Sequence, residues 1–360
     1  MKEENLFLKD YKNLKVLITG TTGFKGSWLA FWLQELGAKV VGIGLKPEKN
    51  FILYESLNLR KRTNQYFFDI CNFNKLNSVI KKEKPDIIFH LAAQSIVSTS
   101  FRNPLDTFNT NIIGSANILE SFRLNNNHNL VYVTSDKCYL NLNKKKRYKE
   151  TDPLGGLDNY SSSKASAELI FMSYFNNYFN KKDYLNVASA RAGNVIGGGD
   201  MKENRIIPDI IRSLYYKKKL KLRHANATRP WQHVLECIYG YLLLGHKLLN
   251  NDLKTKTVPN WNFGPKIKNQ TTVEYITNEF LKNWGKNNLK ISKKEKKRFF
   301  ESKFLSLNIQ KAKKELNWQP RLDLKSTINL TANWYKHFFK YKNKKIEFYT
   351  NEQIQYFLDK

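Results

Sequence analysis

Residues 15–44 limit the possible fold more than any other stretch. Lys15-Val16-Leu17-Ile18-Thr19 is a short, mostly apolar run, and it leads without a break into Gly20-Thr21-Thr22-Gly23-Phe24-Lys25-Gly26. Ser27–Leu36 follows with the aromatic and aliphatic face of a helix, Gly37 ends it, and Lys39–Gly44 is a second buried run. A strand, a glycine loop, a helix and a strand in this order make a dinucleotide-binding βαβ unit. Glycine permits the tight turn and lets the backbone approach a pyrophosphate, and the helix N-terminus offers its amides and positive dipole end to the phosphates. The spacing is Gly-x-x-Gly-x-x-Gly, not the Gly-x-Gly-x-x-Gly of many dehydrogenases.

The alternation continues along the chain. Tyr66–Ile70 reads as a strand ending near Asp69, Asn74–Glu83 as a helix, and Asp86–Leu91 as a strand running into Ala92-Ala93-Gln94. Leu105–Leu124 reads as one long helix, Leu130–Thr134 as a strand, Tyr160–Tyr174 as a helix and Leu185–Ala190 as a strand. Such alternation predicts an α/β fold, a Rossmann-type doubly wound parallel sheet within residues 1–194, with ligands at the carboxyl ends of its strands. Beyond 194 the pattern is mixed: helices at 205–216, 234–249, 272–284 and 324–339, and a short strand and turn at 261–265. Residues 195–345 are therefore expected to form a smaller substrate lobe, with some chain returning to the sheet, and 346–360 a tail. The substrate is expected in the cleft between lobes.

Two segments carry candidate chemistry. Val131-Tyr132-Val133 runs into Thr134-Ser135-Asp136-Lys137-Cys138-Tyr139, and Tyr160 and Lys164 stand four residues apart at the start of a helix, hence on one face. Tyrosine at its ordinary pKa of about 10 is a poor base at neutral pH. A lysine ammonium nearby favours the phenolate, so the pair is expected to be a poised acid/base. Ser135 and Asp136 can bring a hydroxyl and a carboxyl to the same place.

The formal charge is +30, from 61 Lys and Arg against 31 Asp and Glu. A basic chain can bind nucleic acid or a membrane surface. Here lysine is spread along the whole length, and the runs at 144–146, 217–219 and 293–297 fall between apolar segments, as solvated faces do. No nucleic-acid or membrane partner is expected, and a small anionic substrate benefits from the field. No apolar run spans a bilayer, and Met1–Asn5 holds no apolar start of a secretory signal. Cys71, Cys138 and Cys237 are too widely spaced for a disulfide framework or a metal cluster. A cytoplasmic protein without a metal is expected.

These motifs resemble the extended short-chain dehydrogenase/reductase family, which works on nucleotide sugars with tightly held NAD. Within it, Thr22–Trp28, Thr134–Tyr139, Arg191–Asp200 and Arg229-Pro230-Trp231-Gln232-His233-Val234 are similar to the signatures of the 4,6-dehydratases that act on CDP-glucose. The likeness extends from about Lys15 to about Lys336. It implies a redox-neutral loss of water that gives a 4-keto-6-deoxy sugar, a step of deoxysugar biosynthesis for surface polysaccharide such as lipopolysaccharide O-antigen. It implies that Tyr160, aided by Lys164 and Ser135, takes the 4-hydroxyl proton, and that Asp136 is the acid at the 6-hydroxyl. Lys137 stands where the dTDP-glucose dehydratases have Glu as the C5 base. It is a base only with a lowered pKa, and otherwise an electrostatic partner of Asp136 or the substrate.

The likeness further places NAD on Gly20, Thr22, Gly23, Phe24, Lys25 and Gly26, with Asp69 and Ile70 over the adenine. Leu91, Ala92 and Ala93 lie along the pyrophosphate and ribose, beside Tyr160 and Lys164. After the second strand, Gly42–Pro47 has no acid for the adenine ribose, and Lys46 could instead favour a 2′-phosphate. Gln94, Ser135, Asn194, Arg205 and Arg229 are the expected substrate contacts, since planar arginines suit a diphosphate. His90 is expected to make a backbone contact in a buried strand, and His233 to cap or orient. The helices 105–124 and 160–174 resemble those of a four-helix contact, which implies a homodimer. A nucleotide-sugar 4-epimerase, or an idle cofactor-sensing or nucleic-acid-binding protein on the same fold, is the competing expectation, with a dehydratase of another nucleotide hexose as a further alternative. Asp136 argues against the first, and the Tyr160/Lys164 pair against the second.

Overall fold

A computed structural model describes residues 2–47, 52–126, 129–180, 186–222, 224–253, 259–266, 270–285, 289–293, 304–341 and 345–360. Seven strands form the central sheet: β1 (Lys15–Thr19), β2 (Lys39–Gly44), β3 (Asn64–Phe67), β4 (Ile87–His90), β5 (Leu130–Val133), β6 (Val187–Ala192) and β7 (Asn260–Phe263). Their order is β7-β6-β5-β4-β1-β2-β3, and every neighbouring pair is parallel. β4, β5, β6 and β7 are buried at every position, as strands covered on both faces must be. The chain runs outward from β1 through β2 to β3, then returns to β4 on the other side. The crevice between the ends of β1 and β4 is thus the topological switch point where this architecture binds ligands.

The covering helices of the first half are α1 (Phe24–Glu35), α2 (Phe73–Glu83), α3 (Gly114–Leu124) and α4 (Asn159–Tyr174). α1 begins three residues before the predicted Ser27, because Phe24, Lys25 and Gly26 of the glycine loop already form its first turn. The stretch read as one helix over 105–124 is divided into Pro104–Phe108, a π turn at Asn109–Ile113, and α3. The wide turn carries Asn111, whose side chain joins the Gln94 carbonyl at 3.0 Å to Ser163 Oγ at 2.9 Å, tying the β4 loop to α4. β3 ends at Phe67, so Asp69 lies in the following turn, where its carboxylate accepts the Cys71 amide. β6 extends two residues past the predicted Ala190, held in register by β5 on one side and β7 on the other; Leu185 lies outside the described residues.

Beyond residue 194 come α5 (Ile206–Tyr215), α6 (Val234–Leu249), α7 (Val273–Trp284) and α8 (Leu324–Tyr341). Three two-stranded ladders join them: Val195–Ile196 with Gln232–His233, Thr228–Pro230 with Gln270–Thr272, and Leu220–Leu222 with Ile291–Lys293. α6 is buried on nearly all sides and packs against α1, β5 and β6, so this later helix completes the core of the sheet. Residues 346–358, expected as part of a tail, form α9 (Ile346–Leu358), with Ile346, Ile354, Phe357 and Leu358 buried. The Phe357 ring meets Trp32 of α1 edge-on at 6.0 Å, and Asn5 donates to the Leu358 carbonyl at 3.0 Å, so both ends of the chain close over the same flank. The lysines at 144–146 and 217–219 are exposed, and 294–297 lie outside the described residues.

Candidate active site

Backbone geometry builds the cofactor side of the crevice. Gly20 adopts a left-handed φ of 81°, and a Cβ there would lie 2.8 Å from the Ala92 amide nitrogen. A Cβ at Gly26 would lie 2.0 Å from the Gly20 carbonyl oxygen, so only glycine lets α1 seat on the turn. Gly23 is the N-cap of α1 and gives it no side-chain cap. The first-turn amides are thereby left to a ligand, which an anion satisfies together with the helix dipole. Leu91 and Ala92 are fixed on the other wall, their amides bonded to the Thr19 carbonyl and hydroxyl. A cleft of about 230 Å³ opens on Thr22, Gly23 and Phe24, and its lining holds two cations, Arg102 and Lys202, and two acids, Asp200 and Glu203. A glycine cradle and an uncapped helix start fit the pyrophosphate of a dinucleotide. On the adenine side, Ile70 is packed against Gly114, where a Cβ would lie 2.6 Å from its Cδ1, while Asp69 is exposed.

The candidate reacting groups meet at the end of β5. Asp158 caps α4 through the Ser161 amide at 3.0 Å, which sets Tyr160 and Lys164 on the inner face, both buried. Ser135 caps the turn Asp136–Cys138 and donates to Asp136 Oδ1 at 3.0 Å. Asp136 is 3% exposed, and its other oxygen, Oδ2, has no hydrogen-bond partner among the described residues. Burial raises its pKa, against the pull of Lys137, Ser135, Lys25 and Arg229. A carboxyl pushed upward in this way is suited to hold a proton. Lys25, expected on the pyrophosphate, reaches inward to the Tyr241 hydroxyl of α6 at 3.5 Å.

The expectation that lysine lowers the tyrosine pKa is not met in the protein alone. Burial pushes Tyr160 up to about 12, opposed by Ser135 and Arg205 and reinforced by Asp136. Lys164 is itself drawn down to about 8, first by burial and then by Lys25. In the protein alone the pair is a neutral phenol and a lysine that holds its proton less firmly than usual. An incoming positive charge, not Lys164 alone, is needed to favour the phenolate.

Beneath the site lies a buried ion pair that the sequence reading missed. Glu168, one turn after Lys164, pairs with Arg191 of β6 at 2.6 Å, with both side chains at most 1% exposed. Glu168 also accepts from Ser189 at 2.6 Å and from Thr134. Burial would raise the Glu168 pKa, but Arg191 and these hydroxyls hold it below the usual carboxylate range. Arg191 donates to the Tyr139 hydroxyl at 2.8 Å, and Tyr139 donates to Asn262 of β7 at 2.8 Å. The network locks β5, α4, β6 and β7 under the reacting groups. Removing one partner of such a pair costs about 3–5 kcal/mol. The acid at i+8 from Tyr160, on the same helix face, was the available signal.

The other named residues are distributed as follows. Gln94 donates to Thr107 at 2.8 Å and accepts the Ile96 amide at 2.6 Å, so its side chain shapes the β4 loop. Arg205 pairs with Asp200 at 2.9 Å and reaches Ser95 at 2.7 Å, within the field of Tyr160. Arg229 is buried, bonds the Thr228 carbonyl at 2.9 Å and acts on Asp136. Asn194 is half-buried, and its carbonyl accepts the Gln232 amide. His90 bonds two side chains, Thr19 at 2.8 Å and Ser115 at 3.2 Å, and not the expected backbone. His233 caps α6, its Nδ1 accepting the Leu235 amide. Burial lowers the pKa of His90 and His233 to about 3, so neither is a proton carrier at neutral pH.

A parallel seven-stranded sheet, a glycine cradle at its switch point and a Ser135/Tyr160/Lys164 set at the end of β5 define an extended short-chain dehydrogenase/reductase. More narrowly, residues 17–331 match the GDP-mannose 4,6 dehydratase family, and the chain belongs to it. It is 39% identical over 331 residues to a CDP-glucose 4,6-dehydratase of Salmonella typhimurium, with 91% of each chain covered. A UDP-glucose 4-epimerase of Mycoplasma genitalium is 26% identical over 343 residues, 90% of this chain and 97% of that one. Among solved structures, dTDP-glucose 4,6-dehydratase of Bacillus anthracis in complex with NAD superposes with a TM-score of 0.76 at 25% identity, covering 92% of this chain and 98% of that one.

Proposed function

We propose that the protein is a CDP-glucose 4,6-dehydratase, an NAD-dependent lyase that converts CDP-glucose to CDP-4-keto-6-deoxyglucose and water. The carrying observation is the Asp136 carboxyl, buried, its pKa raised, with one oxygen unpaired, beside Ser135 and close enough to Tyr160 to act on it. An epimerase has no use for a buried carboxyl there, and the Salmonella relative supports CDP-glucose as the substrate.

The cradle of Gly20, Thr22, Gly23 and Gly26 would hold the NAD pyrophosphate, with Leu91, Ala92 and Ala93 opposite. When bound, NAD⁺ supplies a temporary store for a hydride and a positive charge that favours the phenolate. Tyr160, with Ser135 and Lys164, receives the proton of the sugar 4-hydroxyl. A keto group at C4 makes the C5 proton acidic, and Lys137 takes it. Asp136 gives its proton to the 6-oxygen, which leaves as water across the C5–C6 bond. The hydrogen borrowed from C4 is returned at C6 and a proton at C5, so the reaction is redox-neutral. Arg205 and Arg229 offer the positive charge that a diphosphate needs. Leu105, Ile113 and Leu169 project apolar side chains from the 104–124 stretch and α4 into solvent, with exposures of 73%, 51% and 57%. That face supports a homodimer.

The test separates oxidation from dehydration. Asp136→Asn should form enzyme-bound NADH from CDP-glucose at the native rate and then stall, with dehydration slowed by roughly 10²–10⁴-fold. Lys137→Met should also oxidise, but fail to exchange the C5 proton in heavy water. Native dehydration by Asp136→Asn would remove the acid from this position, and native C5 exchange by Lys137→Met would reduce Lys137 to an electrostatic neighbour.

A further inference from the structure

Gly193 follows β6 directly, and nothing in its backbone demands glycine: its φ lies outside the left-handed range. What favours glycine is the tight space beside it. A Cβ at 193 would lie 3.0 Å from Asp136 Oδ2 and 3.2 Å from Pro230 Cγ, caught between the carboxyl and a proline ring. Any movement of Asp136 away from 193 works against the bond of Oδ1 to the Ser135 hydroxyl at 3.0 Å, and Ser135 in turn receives the Lys137 amide. The carboxyl therefore lies against bare backbone, out of water, with Oδ2 unpaired among the described residues.

We infer that Gly193 is a positioning residue: its missing side chain forms the dry seat that holds Asp136 as a protonated acid for the elimination step. This rests on the reading of Asp136 as the acid at the 6-oxygen. The groups facing the seat are Lys137 on its own turn, Lys25 of α1, Arg229 of the 228–230 strand, Tyr160 of α4, Tyr241 of α6 and the neighbouring thiol of Cys138. Three of these are cations that favour the carboxylate. Only exclusion from water opposes them, so a carboxyl pushed out of the seat ionises more easily. Oxidation at C4 depends on Tyr160 and does not use the seat.

The experiment compares Gly193→Ala with Asp136→Asn in the full-length protein loaded with NAD, following NADH formation and water loss from CDP-glucose in single turnovers across pH. Gly193→Ala should form NADH with native amplitude, which also shows that it is folded and binds substrate. Its dehydration should slow by roughly ten-fold or more, and the alkaline limb of the dehydration rate should move to lower pH. A loss of packing alone would not move that limb. Should Gly193→Ala fail to fold, Pro230→Ala carries the same test, since it removes the ring on the other side of Gly193, admits water to the seat and predicts the same split and shift. If Gly193→Ala dehydrates at the native rate with the native pH profile while Asp136→Asn stalls, the seat is refuted and the acid stands. If Asp136→Asn itself dehydrates normally, the acid assignment has failed instead.

Discussion

Tyr160, pushed up to about 12 by burial, is a weaker acid than free tyrosine, so the residue proposed to take the 4-hydroxyl proton is a neutral phenol in the protein alone. Tyr160→Phe should fold normally, bind cofactor and produce no enzyme-bound NADH in a single turnover with CDP-glucose. Normal hydride transfer in that variant would sink the assignment. The spacing of Tyr160 and Lys164 was legible because a helix places i and i+4 together whatever surrounds it. The direction of their pKa shifts was not, because burial and the approach of Lys25 depend on contacts between distant parts of the chain. Likewise, the Ser-Asp-Lys run could be read as chemistry, but the unpaired Asp136 oxygen becomes visible only once Gly193 is packed against it.

At the scale of elements, the glycine loop was legible because its requirements are local: a left-handed turn at Gly20 and close contact at Gly26. Gly26→Ala should lose bound NAD and about 1–3 kcal/mol of stability, measured by cofactor content and denaturant unfolding, since its methyl would strike the Gly20 carbonyl. Unchanged cofactor retention would contradict the cradle. α9 and the split of the 105–124 stretch were not legible. The first is stabilised by Trp32 and Asn5 at the other end of the chain, and the second by Asn111 reaching Ser163. α6 adds a pH-dependent anchor. Glu236 in its first turn accepts the Arg321 and Leu322 amides at 2.9 and 2.6 Å, and burial pushes its pKa up to about 7. Between its ordinary value and about 7 the folded protein holds a proton that the unfolded chain releases, so this group's stabilisation is present at low pH and lost as pH rises through that window. Glu236→Gln should flatten that part of the melting-temperature profile; an unchanged slope would show that Glu236 does not titrate there.

For the whole molecule, the parallel sheet followed from the alternation of apolar runs, while the contribution of α6 and β7 from beyond residue 194 needed tertiary contacts to appear. Among the described residues no helix is long and apolar enough to cross a membrane. The charge of +30 is carried in part by exposed lysines at 144–146 and 217–219, which raise the field around an anionic substrate without shaping a site for it. The central claim is that oxidation at C4 and expulsion of the 6-hydroxyl occur on one sugar in one active site. The most direct measurement is to incubate the NAD-loaded protein with CDP-glucose carrying deuterium at C4 and follow the product by mass spectrometry and NMR. The account predicts a product lighter by one water, with the deuterium moved to C6. A product of unchanged mass with the label still at C4 and the hydroxyl there inverted would contradict it.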